Sequence, residues 1–390
     1  MQYSKFNSAI ALFSRRRFLT GFSALALTLP FSAKVFSVQT KQQEWWVSAQ
    51  GRDKDNYGLA MQGARTSSLK RVHSSFRGHG VIQHPIKPNK VLMLARRPGR
   101  YGVEVDLPSA AVKKHFTCAP QRFLQGHGCF SKDGSVLYTS ESELHSGKGL
   151  IVLRDSLSYE VLDEFDSHGV GPHELKLMPD GQTLVVANGG LHTHPDSGRT
   201  VLNLATMRST LTYLDARTGA LLEQQQVPEA KASIRHLDVA HDGTVVIAMQ
   251  LQRATMDHSN VVALSAVHRR GAPIRLVTKP DAVVEAMNDY IGSTAVNNQY
   301  RVAGFASPRG NLVAFWHIDT LRFLGYHAFH DACGLTVSAD ATHFVLSNSR
   351  GEIRQLRVED LEEERCLRQQ ASGLNWDNHL ISITLPEMGA

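Results

Sequence analysis

The chain has 390 residues, enough for two average domains or one large repeat architecture, and length alone does not choose between them. Apolar residues make up 42% and aromatic residues only 7%, an ordinary globular composition that argues against an aromatic-rich nucleic-acid binder. The formal charge of +6 is concentrated at one end: Lys5, Arg15, Arg16, Arg17 and Lys34 fall within residues 1–37, which hold no acidic residue, so the remainder carries about +1.

That N-terminal segment reads as an export signal. Ser14-Arg15-Arg16-Arg17-Phe18-Leu19 closely resembles the twin-arginine motif, and the apolar run Phe18 to Phe31 is short for a bilayer span and broken by Pro30. Residues 1–37 are expected to be a twin-arginine signal peptide cleaved near Ser37, with an uncleaved anchor as the alternative. The mature protein is then expected in the periplasm, with no stable membrane span.

From residue 43 to 386 the pattern is short strands broken by Gly, Asp, Asn and Pro. The units read as 43–76, 77–117, 121–166, 168–230, 232–280, 291–328 and 330–368. Most share one logic: an inner strand, an Asp-Gly-like hairpin, a Val/Leu-rich strand, and a third strand ending in a polar turn such as Asp215-Ala216-Arg217-Thr218-Gly219. Strand-only units of roughly 40–60 residues predict an all-β fold, a seven-bladed β-propeller in one domain. The tail Leu380-Ile381-Ser382-Ile383-Thr384-Leu385 is expected to close the circle beside Trp45-Trp46-Val47. Stretches 109–115 and 281–290 read as short helical excursions, and 188–210 as a long polar insertion in the fourth unit, where binding function tends to reside.

Cys118, Cys129, Cys333 and Cys366 contain no Cys-x-x-Cys pair, which speaks against a zinc knuckle or a thioredoxin-type site. One disulfide or four unpaired thiols both fit this spacing.

A histidine recurs at one place in successive units. His127 precedes Asp133-Gly134, His173 precedes Asp180-Gly181 and His236 precedes Asp242-Gly243, while Gly78-His79-Gly80 matches Gly126-His127-Gly128. Six or seven residues before the hairpin is near the start of the channel-lining strand, unlike the more distant Gly-His corner of WD repeats. The four rings are therefore expected to converge at one channel mouth, with Glu174, Arg235 and His84 close behind in sequence and His330-Asp331 near the matching position in the last unit. Imidazoles with a carboxylate suit Fe, Zn, Cu or Ni. General acid/base work or anion binding, and simple capping of the inner strands, are the other readings of the same residues. His192-x-His194-x-Asp196 is a weaker cluster on the insertion, either a pinch for an ion or a His-Pro-Asp turn. No Gly-x-Ser-x-Gly elbow or phosphate-cradling loop is present.

The stretches Gly78-His79-Gly80-Val81, Ser167 to Leu175, Val186-Ala187-Asn188-Gly189-Gly190, Thr193-His194-Pro195-Asp196 and Ser233-Ile234-Arg235-His236-Leu237 resemble the DUF1513 family of exported bacterial propeller-like proteins of unknown function. Leu137-Tyr138-Thr139-Ser140 and Val185-Val186-Ala187-Asn188 look more distantly like YVTN-type repeats of lactonase-like and quinoprotein-like chains. The resemblance implies neighbours of the imelysin-like and cytochrome-like kinds, a context of iron handling, and a place for His194 in the shared motif. The sequence thus points to a periplasmic binding or accessory protein with metal-ligand candidates His79, His127, His173, Glu174, His236 and His194. A metal- or quinone-cofactor enzyme and a docking platform for a periplasmic redox partner are the rival readings. No nucleic-acid partner is expected.

Overall fold

Apolar runs and Asp/Gly turns build seven four-stranded antiparallel sheets. The computed structural model describes residues 42–386 apart from 198–199 and 257–258, so segment 1–37, expected to be a twin-arginine signal, lies outside the described residues. Counting blades along the chain, blades 2 to 7 span residues 78–117, 122–170, 172–226, 232–277, 293–328 and 332–370. Blade 1 is composite. Its three outer strands, Gln42–Gln50, Gly58–Gly63 and Leu69–His73, come from the N-terminal end, and its inner strand Ile381–Pro386 comes from the C-terminal end. The ring closes with Trp45 opposite Ile383, Trp46 opposite Ser382 and Val47 opposite Ile381.

Blades pack face against face, so their second strands are covered on both sides. This is why Lys90–Ala95, Thr183–Asn188 and most of Val245–Leu251 are buried at successive positions, and why they read as unbroken apolar runs rather than alternating ones. The Asp/Gly turns have the chemistry their sequence implies. Asp133 Oδ1 accepts from the Ser135 N–H at 3.0 Å and Asp180 Oδ1 from the Gln182 N–H at 2.8 Å, while Gly134 and Gly181 each sit at φ +70°.

One expectation changes. Residues 109–115 are not helical: Ala111–Thr117 is the outer strand of blade 2, paired with Tyr101–Asp106, and Phe116 stacks on Tyr159 with centroids 5.1 Å apart. The outermost strands, such as Val161–Val170 and Leu221–Gln226, are also largely exposed; facing water, they lack the apolar pattern that marks the inner three. The 281–290 excursion does hold a short helix, Asp281–Ala286, seated through buried Val284. All four cysteines are free thiols, with Cys118, Cys129 and Cys333 buried and Cys366 exposed.

Candidate metal centre

The inner strands are irregular where the histidines sit. The register slips between Gly78 and Val81, Leu124 and Gly128, Pro172 and Glu174, and Ile234 and His236, so each of these strands carries a β-bulge beside its histidine. A bulge breaks the two-residue alternation and re-aims side chains. Consecutive residues can then serve the same side: His173 and Glu174 both join the cluster, and Arg235 and His236 both line the cavity above it.

His79, His127, His173 and His236 converge, as the recurrence predicts. All four are buried, and neighbouring ring centroids lie 4.8 Å apart for His79 and His127, 5.1 Å for His127 and His173, and 4.8 Å for His173 and His236. The sequence reading did not include a fifth ring, His379. It stands two residues before the closing strand, and its ring centroid lies 4.7, 4.6 and 4.4 Å from those of His79, His127 and His236. Five consecutive blades, 1 to 5, therefore each supply one imidazole. The inner strands of blades 6 and 7, Ser293–Asn297 and Ala332–Val337, carry none. His379 was legible in principle, since a tail that completes blade 1 must start its strand at the same mouth. It lacks both the downstream Asp-Gly hairpin that flagged His127, His173 and His236 and the Gly-His-Gly match that flagged His79.

Close approach depends on glycine. A Cβ on Gly126, whose φ is +104°, would lie 2.7 Å from His79 Cδ2, and one on Gly80 would lie 2.5 Å from the Gly126 carbonyl oxygen. His379 itself has φ +72°, a left-handed backbone that histidine, like asparagine and aspartate, adopts more readily than most residues with a Cβ.

Two sets of ligand atoms lie within 4.8 Å of one another: His127, Glu174, His236 and His379, and His79, His127 and His173. Glu174 orients the group. Its Oε2 meets His236 Nδ1 at 3.1 Å and accepts the Leu237 N–H at 3.2 Å, while Lys176 Nζ lies 3.3 Å from Oε1. Burial by itself would raise the Glu174 carboxyl, but His127, Lys176 and the His236 hydrogen bond outweigh it and hold it well below the usual carboxylate range. Burial also dominates the histidines. His127 is pushed down to about 3, His79, His173 and His379 fall well below 6.5, and His236 is lowered against the opposing pull of Glu174. The rings are neutral at physiological pH, the state in which imidazole ligates metals. His79 Nδ1, His127 Nε2, His173 Nδ1 and His379 Nε2 are buried with no hydrogen-bond partner. Four orphaned ring nitrogens in one place are a cost that strand capping does not explain.

Other candidates lie elsewhere. His84 packs on Phe130 at the hairpin end of its strand, where its Nδ1 accepts the Ile86 and Lys87 N–H groups at 3.2 Å. His330 is exposed, and Asp331 bonds the Ser349 hydroxyl, so the last blade adds no ligand. His194 belongs to neither ligand set among the described residues. Its Nδ1 accepts the Asp196 N–H at 3.2 Å, which is turn chemistry, and its ring neighbours His145 at 6.2 Å. The insertion does reach the mouth, through Leu191 and Val201 rather than through His194. Asn203 secures it, accepting the His192 N–H and donating to the Gly190 carbonyl.

Above the rings lies a cavity of about 350 Å³ with His79, His173 and His236 at its base. This is a seven-bladed β-propeller with an imidazole cage at one channel mouth. The family model described as protein of unknown function DUF1513 matches residues 72–383, and the chain belongs to that family. Among solved structures it is similar in fold to hydrazine synthase of Kuenenia stuttgartiensis, with 13% identity, a TM-score of 0.62, and coverage of 78% of this chain and 90% of that one. At that identity the likeness concerns the fold alone. A search of curated proteins found no match.

Proposed function

We propose that this protein is an exported, periplasmic metal-binding propeller that serves in transition-metal handling, with iron the first candidate and copper or zinc the alternatives. The observation that carries the reading is the set of partnerless, neutral imidazole nitrogens gathered from separate blades. Imidazoles sharing one ion at about 2.1 Å have ring centroids roughly 4.5–5.5 Å apart, close to the spacings of 4.4 to 5.1 Å found here between neighbouring rings. A nitrogen-rich set with one carboxylate suits borderline divalent ions over calcium or magnesium. Glu174 on His236 supplies the carboxylate–histidine pairing that fixes a ligating ring's tautomer.

The twin-arginine segment supports export of an already folded chain, in which a metal can be loaded before translocation. Imelysin-like and cytochrome-like periplasmic proteins are the partners that the family resemblance suggests. The cavity against the cage favours one second reading, a metal-dependent enzyme whose substrate enters there.

The test is elemental analysis of the protein recovered from the periplasm of cells that export it with its own leader. Stoichiometric iron, copper or zinc that disappears in a His127→Ala, His236→Ala double variant is expected. Negligible metal in the wild type, or metal unchanged by the double substitution, rules the reading out. Replacing Arg15 and Arg16 by lysine is expected to keep the chain in the cytoplasm.

A further inference from the structure

The cavity above the cage has a chemistry of its own. Four arginines line it, Arg96, Arg97, Arg235 and Arg309, together with Gln125 and Gln250, and no aspartate or glutamate is among its described lining residues. Two carboxylates stand beside this lining and both are engaged: Asp377 by Arg77 at 2.8 Å, with Arg96 at 3.7 Å, and Glu174 by His236 at 3.1 Å and Lys176 at 3.3 Å. The neutral imidazole base supplies no countercharge.

Arg235 is the informative member. Only 8% of it is exposed, its NH2 donates to Gln250 Oε1 at 3.1 Å, and its buried NH1 has no partner. A guanidinium held out of water with a free N–H is costly unless an anion meets it. The bulge at Ile234 and His236 is what brings this side chain into the channel beside a ligand histidine. Gln125, 1% exposed, donates to the Ser142 hydroxyl at 2.7 Å, and its unpartnered amide oxygen is an acceptor that suits a hydroxyl of the guest rather than its charge. Across from these, Arg309 lies over the Tyr290 ring at 5.0 Å, and the Tyr290 hydroxyl accepts from Asn378 at 2.8 Å, so the wall is preformed.

We infer that this chamber binds a small, multiply charged oxyanion, a di- or tricarboxylate or a phosphate, with Arg235 as its buried anchor and Arg309 on its outer wall. Planar guanidinium groups meet such oxygens in paired hydrogen bonds. A chamber of about 350 Å³ is at the small end of ligand pockets, which limits the guest to metabolite size. The anion would sit directly over the imidazole cage. The inference stands on the arginines and does not require the metal reading to be right.

The test is calorimetric titration of the metal-stripped full-length mature protein with citrate, with inorganic phosphate and with glycerol as a neutral control. Wild type is expected to bind citrate or phosphate and to ignore glycerol. Arg235→Gln is expected to weaken binding at least tenfold, and Arg309→Gln, on the outer wall and less prone to disturb folding, by a smaller factor. Citrate tighter than phosphate identifies a carboxylate guest, and the reverse order a phosphate. No binding of either anion at millimolar concentration, or equal binding by wild type and Arg309→Gln, overturns the inference. Because the metal is removed beforehand, either result leaves the metal proposal to its own test.

Discussion

Glu174 and His236 belong to adjacent blades, and the carboxylate oxygen of one lies 3.1 Å from the ring Nδ1 of the other. The contact ties blade 4 to blade 5 at the channel and leaves His236 Nε2 as the nitrogen with a lone pair to offer. Loss of a carboxylate hydrogen-bonded to a ligating histidine typically costs about 10- to 100-fold in metal affinity. Glu174→Gln is therefore expected to weaken metal retention by that order while the protein stays folded. Competition with a chromophoric chelator measures it, and an unchanged competition curve would show that Glu174 orients nothing.

His379 and His194 make opposite predictions. His379 closes the cage from blade 1, within 4.4 Å of His236, whereas His194 caps its own turn. His379→Ala is expected to lower metal affinity and His194→Ala to leave it unchanged, read by elemental analysis after dialysis against a weak chelator. Metal loss in His194→Ala with retention in His379→Ala would reverse the assignment.

Gly126→Ala tests the coupling of backbone to site. Its φ of +104° and the 2.7 Å approach of a Cβ to His79 mean that the substitution strains the chain and displaces the ring. A residue forced into such a conformation costs about 1–3 kcal/mol. Urea denaturation is expected to show that loss together with weaker metal binding; full affinity in the variant would mean that His79 is not a ligand.

Acid sensitivity follows from burial. In an unfolded chain a histidine titrates near about 6.5, whereas in the fold burial holds His127 down to about 3. Between those values the unfolded chain binds more protons, so stability falls as pH decreases through that window and is flat above it. Glu174 acts in the same direction further down: its carboxyl lies well below the usual range, so its contribution is lost as pH drops toward its folded value. The Tm of the metal-stripped protein is expected to decline below about pH 6.5, with a shallower slope in His127→Gln. Identical slopes in the two proteins would contradict a buried neutral ring.

Ring closure is separable from the site. Trp46 is fully buried in blade 1, and its indole N–H donates to Glu44 at 3.1 Å. Trp46→Ala is expected to cost about 3–5 kcal/mol in urea unfolding, with the metal affinity of the folded protein unchanged. A drop in affinity at full stability would show that closure and cage are one unit.

The sequence by itself determined the ring. Strand periodicity, Asp/Gly turns and the alternating tail are local signals, each a few residues long, and together they gave seven blades, the closing pair and the four recurrent histidines. Which side chains share a centre was decided only by the tertiary structure. His379 lies 300 residues from His79 in sequence and 4.7 Å from it across the channel, because ring closure brings the two ends together. The register slips that set Arg235 beside His236 and aim Glu174 inward are properties of strand pairing, which residue order alone does not encode. His194, conspicuous in sequence, faces its own turn, while Leu191 and Val201 of the same insertion meet the cavity. Local chemistry specifies an element; convergence of elements distant in sequence depends on how the chain closes.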